Sequence, residues 1–372
     1  MTVERKRLDY VDWVKAIGII LICLGHLLPS GCLPKVVMYC FHVPIFAFVG
    51  GILTRAPRTF LDLGKKLIKL VTRILVPYTI WFWVFAIPYF MPEESIPAYI
   101  KTHYELAEIT EKFFFLEGST IWNYALWFVP CYFLVSVAFA LLMFLARGNR
   151  IASFAMSVAS FYGFAYYNIN EKNLTVFGHE NFLGISNIML LFGFVALGYA
   201  LKGMIEELIS LREKRYKNPF LYTSFFFFLL GIMAAAHLNS TTNVKKYPAG
   251  FNPISVMNGD YNNDLTFLLL AIWLTVTFTV SMGLLPKFKP IEMLSASTFF
   301  VMSTHYVVML FPFISTGLTK AEWQLDMKLG FIECGITILC YMVLLFLLNL
   351  LAKRFPKVTD PILNVLGIQR VL

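Results

Sequence analysis

One apolar stretch, VDWVKAIGIILICLGHLLPSG at residues 11–31, carries Asp12, Lys15 and His26. Placing an ionisable group inside a bilayer costs several kcal/mol by most scales, about 2.5–3.5 on insertion scales, so such groups usually have a task. An imidazole takes and gives protons near neutral pH. A lysine holds an anion, and an aspartate neutralises or orients its neighbours. At 100° per residue, the eleven steps from Lys15 to His26 leave a net rotation of about 20°, and the fourteen from Asp12 leave about 40° in the other sense. The three therefore share one helix face. Lys15 and His26 lie about 16 Å apart along the axis and do not touch. The face offers a cation towards one side of the membrane and an imidazole towards the other. That suits an anionic molecule entering from the inner side and reacting deep in the bilayer. Taken singly, Lys15 is also explained by snorkelling, and His26 by a hydrogen bond between helices. Gly18 and Gly25 on the same helix invite close approach by a neighbour.

Other chemistry-bearing residues recur at the ends of apolar runs. In YCFHVPIFAFVGG, His42 sits near the outer end of a second apolar run, joined to the first by the turn PSGCLPK. It serves either to brace this hairpin or to meet an acceptor. Between Arg55 and Arg73 lie six cations, and Lys66, Lys69 and Arg73 recur at three- and four-residue spacing on one face. Arg73 opens the next apolar span, where a guanidinium pointing inward suits phosphate. In VMSTHYVVML, His305 is placed near mid-membrane, and Glu333 near the outer end of the last span. A carboxylate that reaches a histidine orients it and raises its basicity. Asp260 and Asn262, in NPISVMNGDYNNDLTF, are candidates for hydrogen bonds to sugar hydroxyls, although a polar turn is the safer reading.

These residues need a scaffold, and the composition says which kind. Of 372 residues, 58% are hydrophobic and 14% charged, against about 25% charged in a soluble domain. The chain is an all-α integral membrane protein, a single polytopic unit over residues 1–372 with no separate soluble domain. Ten spans are expected, at 13–30, 36–54, 74–92, 121–146, 151–168, 183–202, 219–238, 265–284, 294–315 and 329–352. With both termini in the cytoplasm, 23 of the 31 Lys and Arg residues fall on the inner side, as the positive-inside rule asks. The net charge of +9 is therefore topology and not nucleic-acid binding. The basic N-terminus before an apolar run has no small-residue cleavage site and reads as an uncleaved first helix. The stretch 93–120 is too polar to span and carries six glutamates. The six cysteines show no metal spacing, and no metal is expected. Cys32 and Cys40 would be neighbours near the outer face; a disulfide there is the alternative to two small apolar fillers.

The motifs resemble the membrane-bound acyltransferase family 3, and within it the fucose 4-O-acetylase-like branch. YVDWVKAIGIILICLGH is similar to that family's acid, basic residue and distant histidine. FHVPIFAFVGG is like its second-helix motif, KLVTRILVPY like its basic motif ending in proline, and NYALWFVPCYF like its Leu-Trp-Phe segment. Together they cover roughly residues 7–133. The resemblance implies an O-acyltransferase, most simply an O-acetyltransferase, moving an acyl group from cytoplasmic acetyl-CoA to a hydroxyl of an extracytoplasmic or lipid-linked glycan. It implies a bacterial inner membrane, His26 as catalytic base, and Lys15 and Arg73 at the acyl donor, with Asp12 at the same end. Lys15 stands where many members have arginine, and Leu70 where many have a second one, so Lys69 substitutes there. His305 and Glu333 are candidates to complete the catalytic group. The partners expected are the bilayer and the glycan, with a homodimer left open. The alternative is a transporter or flippase of a glycan intermediate, which intramembrane His, Glu and Lys also suit.

Overall fold

A computed structural model describes residues 8–91, 106–114, 123–170, 175–176, 179–180, 184–210, 218–243, 250–257, 259–316, 327–369 and 371. These residues are almost entirely helical, apart from a two-residue antiparallel ladder pairing Thr175–Val176 with His179–Glu180. Among the described residues, eight helical runs, some of them made of two or more consecutive elements, are long and apolar enough to cross a membrane: Asp9–Leu27, Leu33–Leu53, Phe60–Phe90, Ala125–Leu145, Ile185–Ile209, Pro219–Leu238, Asp264–Leu284 and Met327–Arg354. The two other expected spans also coincide with helices. Arg150–Asn170 is 21 residues long, and Thr298–Val308 is apolar but shorter over its described side chains.

The first helix, α1 (Asp9–Leu27), is the axis of the molecule. It packs against α3 (Pro44–Leu53), α11 (Asp264–Ser281), α12 (Lys289–Ala296), α13 (Thr298–Thr316) and α14 (Met327–Arg354). Its glycines permit this. A Cβ on Gly18 would stand 2.8 Å from Ile45 and Phe46, and one on Gly25 2.7 Å from the Tyr39 ring. The expectation that these two glycines admit close neighbours is met. The expected second span is not one helix. It is α2 (Leu33–Tyr39) and α3, separated by a break over residues 40–43. Pro44, at the start of α3, has no N–H to continue the ladder.

Two hydrophobic clusters divide the interior. One takes α2, α3, α7 (Phe128–Leu145), α8 (Arg150–Asn170), α9 (Ile185–Ser210), α10 (Pro219–Leu238) and α11. The other takes α5 (Val76–Ala86), α12, α13, α14 and the C-terminal α15 (Pro356–Leu366). Helix α1 belongs to both: Val11 and Val14 enter the first, while Ile19, Ile22 and Cys23 enter the second. Within the first cluster, α3 and α9 meet backbone to backbone. A Cβ on Gly51 would overlap the Val195 carbonyl, and one on Gly198 the Phe48 carbonyl. Small residues serve this purpose where no hydrophobic force drives helices together. The outer helices α10 and α14 expose rows of large apolar side chains, such as Phe225, Phe226 and Leu229, or Leu339, Val343 and Leu347. In water such a surface would aggregate; in lipid it is the natural boundary.

The basic segment forms its own element. Helix α4 (Phe60–Leu70) starts at a capping box, in which Thr59 and Asp62 bond each other's backbone N–H. It buries only Leu63 and exposes Phe60, Leu61, Ile68, Lys65 and Lys69. Such a helix suits the membrane interface. It runs through a π-turn, Val71–Leu75, into α5. Short α6 (Leu106–Phe114) lays Phe113 against Tyr78, Phe82 and Trp83 of α5. Of the six glutamates expected in this outer stretch, Glu108 and Glu111 are exposed on α6; the others lie outside the described residues.

Candidate functional site

His26 lies on the last turn of α1, half-buried. Its Nδ1 is 2.9 Å from the hydroxyl of Tyr306, on α13. His305 packs beside both with its ring tilted to each, its centroid 5.3 Å from that of His26 and 5.0 Å from that of Tyr306. His305 is fully buried. Its Nδ1 faces two carbonyls of its own helix, Met302 at 2.7 Å and Val301 at 3.1 Å. Carbonyls only accept, so Nδ1 carries the proton and Nε2 the lone pair. That Nε2 has no hydrogen-bond partner. His26, Tyr306 and His305 thus form a ring cluster between α1 and α13. Neighbours on a helix lie about 100° apart, so His305 and Tyr306 reach one partner only because α13 turns the edge between them to α1.

A cavity of about 210 Å³ opens on this cluster. His26 and Tyr306 line one side. The break between α2 and α3 supplies Tyr39, His42 and Phe46. Trp127 and Phe128 come from the start of α7, and Ser255, Val256 and Met257 from the loop before α11. His42 is buried, and its Nδ1 donates to the Met38 carbonyl at 2.8 Å, which leaves Nε2 as an acceptor. The Tyr39 ring lies 4.5 Å from that of His42. Its hydroxyl donates to the Gly25 carbonyl at 3.3 Å, one residue before His26. The two histidines expected at similar depth therefore open on one cavity.

The loop over the cavity is tied down by its own backbone. Ser255 and Asp260 pair as a bridge, and Ser240 pairs with Phe251. Asn262 adopts a positive φ of 61° and donates to the Asn239 side chain at 3.1 Å. Asp260 and Asn262 are both exposed. They hold the loop's shape and do not line the cavity. From the same loop it is Ser255–Met257, a few residues earlier, that line the cavity.

At the other end of α1, Asp12 and Lys15 both reach Ser295. Ser295 on α12 donates its hydroxyl to Asp12 Oδ1 at 2.6 Å, and its carbonyl accepts from Lys15 Nζ at 2.6 Å. Asp12 is buried and Lys15 half-buried. This pair braces α1 to α12, a short helix whose last three residues fall within the expected span 294–315. Ser297, buried between α12 and α13, marks the break.

Arg73 differs from expectation. It is exposed on the π-turn instead of pointing into the bundle, and the buried stripe resumes only at Pro77 and Tyr78. A π-turn inserts an extra residue and shifts the register of the faces. Lys69 is exposed nearby, and Lys66 donates to the Arg55 carbonyl at 2.9 Å. Glu333 is buried on α14, and its Oε2 has no hydrogen-bond partner. Among the described residues no hydrogen bond joins it to a histidine. Cys32 and Cys40 are buried free thiols, so the small-filler reading holds. No cluster of potential metal ligands is found among the described residues. Tyr306 was missed in the sequence, although it stands next to His305 in the segment already singled out.

A family model for an acyltransferase domain matches residues 8–332, from the start of α1 into α14. No curated protein and no solved structure gives a match. Every wall of the His26 cavity lies within the matched range, as do the α1–α12 brace and the basic π-turn. The match spans far more than half of the chain, and the chain belongs to the membrane-bound acyltransferase family 3.

Proposed function

We propose that this acyltransferase moves an acetyl group from cytoplasmic acetyl-CoA to a hydroxyl of an extracytoplasmic or lipid-linked glycan, with His26 as general base. The observation that carries this reading is the hydrogen bond between His26 Nδ1 and Tyr306 on the wall of a cavity. A sugar hydroxyl is a poor nucleophile near neutral pH and needs a base within reach. In the tautomer that donates Nδ1–H to the Tyr306 oxygen, Nε2 carries the lone pair that takes the hydroxyl proton. The hydroxyl oxygen then bonds to the acetyl carbonyl carbon. The tetrahedral intermediate collapses, the C–S bond breaks, and the imidazolium returns its proton so that CoA leaves as the thiol. Tyr306 keeps the imidazole in the useful tautomer and stabilises the charge that develops on it. His305, neutral and packed against both rings, fixes their orientation.

The phosphates of CoA meet the exposed cations of the inner basic segment, Lys65, Lys69 and Arg73 among them. Lys15 contributes mainly through the brace to α12. The membrane is the bacterial inner membrane, the side on which acetyl-CoA is made.

The test uses full-length protein in nanodiscs with radiolabelled acetyl-CoA. Wild type binds the donor and transfers or slowly hydrolyses the acetyl group. His26→Ala binds it with unchanged affinity and loses turnover. Full turnover in a folded His26→Ala protein rules out the base assignment. A folded wild type with no affinity for acetyl-CoA removes the donor.

A further inference from the structure

Resting on that reading, we infer that the segment 356–371, which lies beyond the matched range, is a positioning element of the acyl-donor site: it straps the basic π-turn to the α1–α12 brace, with Gly367 as the corner of the strap. Helix α15 packs against the π-turn Val71–Leu75 and against α5. Leu363 and Leu366 of α15 join Ile74 and Leu75 of the turn in one apolar cluster. None of the five residues of the π-turn is buried, so the placing of Arg73 depends on what packs against the turn.

Helix α15 ends at a sharp corner. Gly367 has φ 81°, and two amides turn back on the helix: Gly367 donates to the Asn364 carbonyl at 3.2 Å and Ile368 to the Leu363 carbonyl at 2.8 Å. This is the left-handed helix end that glycine favours, and its usual apolar contact is present, with Leu363 and Ile368 both buried. A Cβ on Gly367 would overlap the Phe299 ring of α13. Past the corner the chain crosses to α12. The Gln369 amide donates to the Ala296 carbonyl at 3.3 Å, one residue after the Ser295 that bonds Asp12 and Lys15. Lys289, the first residue of α12, donates to the Val371 carbonyl at 2.8 Å and pairs with the buried Glu292 at 3.6 Å. The Val371 amide donates at 3.0 Å to the side chain of Asn349, which is fully buried on α14. A buried acceptor of this kind is costly to leave unmet.

The segment thus joins the two places assigned to the donor's inner end. Phosphate binding by a guanidinium is geometric as well as electrostatic. An element that sets the π-turn against α12 therefore sets how well the nucleotide end of the donor is held. The thioester end reacts at His26 on the last turn of α1, whereas the strap meets the brace to Asp12 and Lys15 near its start. Disturbing the strap should then weaken the grip on phosphates and spare the chemistry.

The test compares acetyl-CoA with S-acetylpantetheine, which keeps the thioester and its arm but carries no phosphate. Both are radiolabelled in the acetyl group, and acetyl release is followed for full-length protein in nanodiscs. The variant is Gly367→Val, which puts a branched side chain at a positive φ and against Phe299. Wild type should prefer acetyl-CoA in kcat/KM. In Gly367→Val that preference should fall at least fivefold, through KM for acetyl-CoA, while kcat/KM for acetylpantetheine stays within twofold. A smaller fall in preference overturns the inference, and so does an equal loss on both donors, which is what a merely structural segment would give. Should Gly367→Val fail to fold, hydrogen exchange on wild type decides. Adding CoA should slow amide exchange over 69–75 and over 367–371 together, and protection of the first stretch without the second overturns the inference. An acetyl-CoA preference equally intact in wild type and Gly367→Val removes the strap and leaves the donor reading standing. A folded wild type that neither binds nor consumes acetyl-CoA removes both.

Discussion

Replacing Tyr306 by phenylalanine removes one oxygen and little else. The ring stays to pack against His26 and His305, whose centroids lie 4.9 and 5.0 Å away. What goes is the 2.9 Å hydrogen bond to His26 Nδ1. In the ground state that bond joins two neutral groups and is worth about 0.5–1.5 kcal/mol; as His26 becomes imidazolium it becomes a bond to a charge, worth about 1.5–3 kcal/mol. The difference falls on the chemical step, and the lost tautomer preference adds to it. The expected loss in kcat is therefore on the order of 10- to 100-fold. KM for acetyl-CoA should hardly change if, as proposed, the phosphates bind on the basic segment around Lys69 and Arg73, which does not line the His26 cavity. The assay is steady-state acetyl transfer in nanodiscs, with kcat and KM separated, on Tyr306→Phe, His26→Ala and the double variant. If Tyr306 acts through His26, it contributes nothing once His26 is gone, and the double variant matches His26→Ala. Additive losses would show that Tyr306 acts independently of His26. A Tyr306→Phe enzyme within twofold of wild type would refute the partnership altogether.

Three further outcomes follow from packing. Gly25→Ala puts a methyl 2.7 Å from the Tyr39 ring, costing about 1–3 kcal/mol and lowering the thermal midpoint; adding Tyr39→Leu should recover much of it, and a neutral Gly25→Ala would show that α2 sits elsewhere. Ser295→Ala leaves the buried Asp12 carboxylate without the hydroxyl 2.6 Å away, a loss of about 1–3 kcal/mol read by thermal unfolding in detergent, with acetyl-CoA affinity unchanged. Gly198→Ala drives a methyl into the Phe48 carbonyl and should cost about 3 kcal/mol or more, seen as loss of the monodisperse peak in size exclusion; a well-behaved variant would refute the backbone contact between α3 and α9.

The sequence made some of this legible and hid the rest for physical reasons. Apolar runs of about 20 residues cannot be concealed, so a helix stands at each of the ten expected positions. The shared face of Asp12, Lys15 and His26 was readable from helical geometry alone, because it is a local property. Its division of labour was not. Asp12 and Lys15 converge on Ser295, 283 and 280 residues away, and no local pattern announces so distant a partner. Tyr306 was hidden by the same distance, though its neighbour His305 drew notice. The break at residues 40–43 had a visible cause in Pro44. The break at Ser297 had none, because Ser and Ala at 295–297 carry no stop signal strong enough to interrupt an apolar run. Arg73 was misdirected by assuming an unbroken helix through 71–75, where the π-turn changes the facing.

The brace between α1 and Ser295 also imposes an order on the protein's synthesis. Helix α1 is made early, and Ser295, which bonds both Asp12 and Lys15, follows 280 or more positions later. At about 5–20 residues per second, the ribosome takes roughly 15 s to a minute to cover that distance. During this interval α1 lacks its contacts with Ser295, and His26 lacks Tyr306 over the same 280 positions. The contacts that tie α1 to α12 and α13 therefore form only once residues 295 and 306 have been made. The His26–Tyr306 pairing is in this sense a completion signal: it can form only in a molecule whose late helices have been inserted and docked.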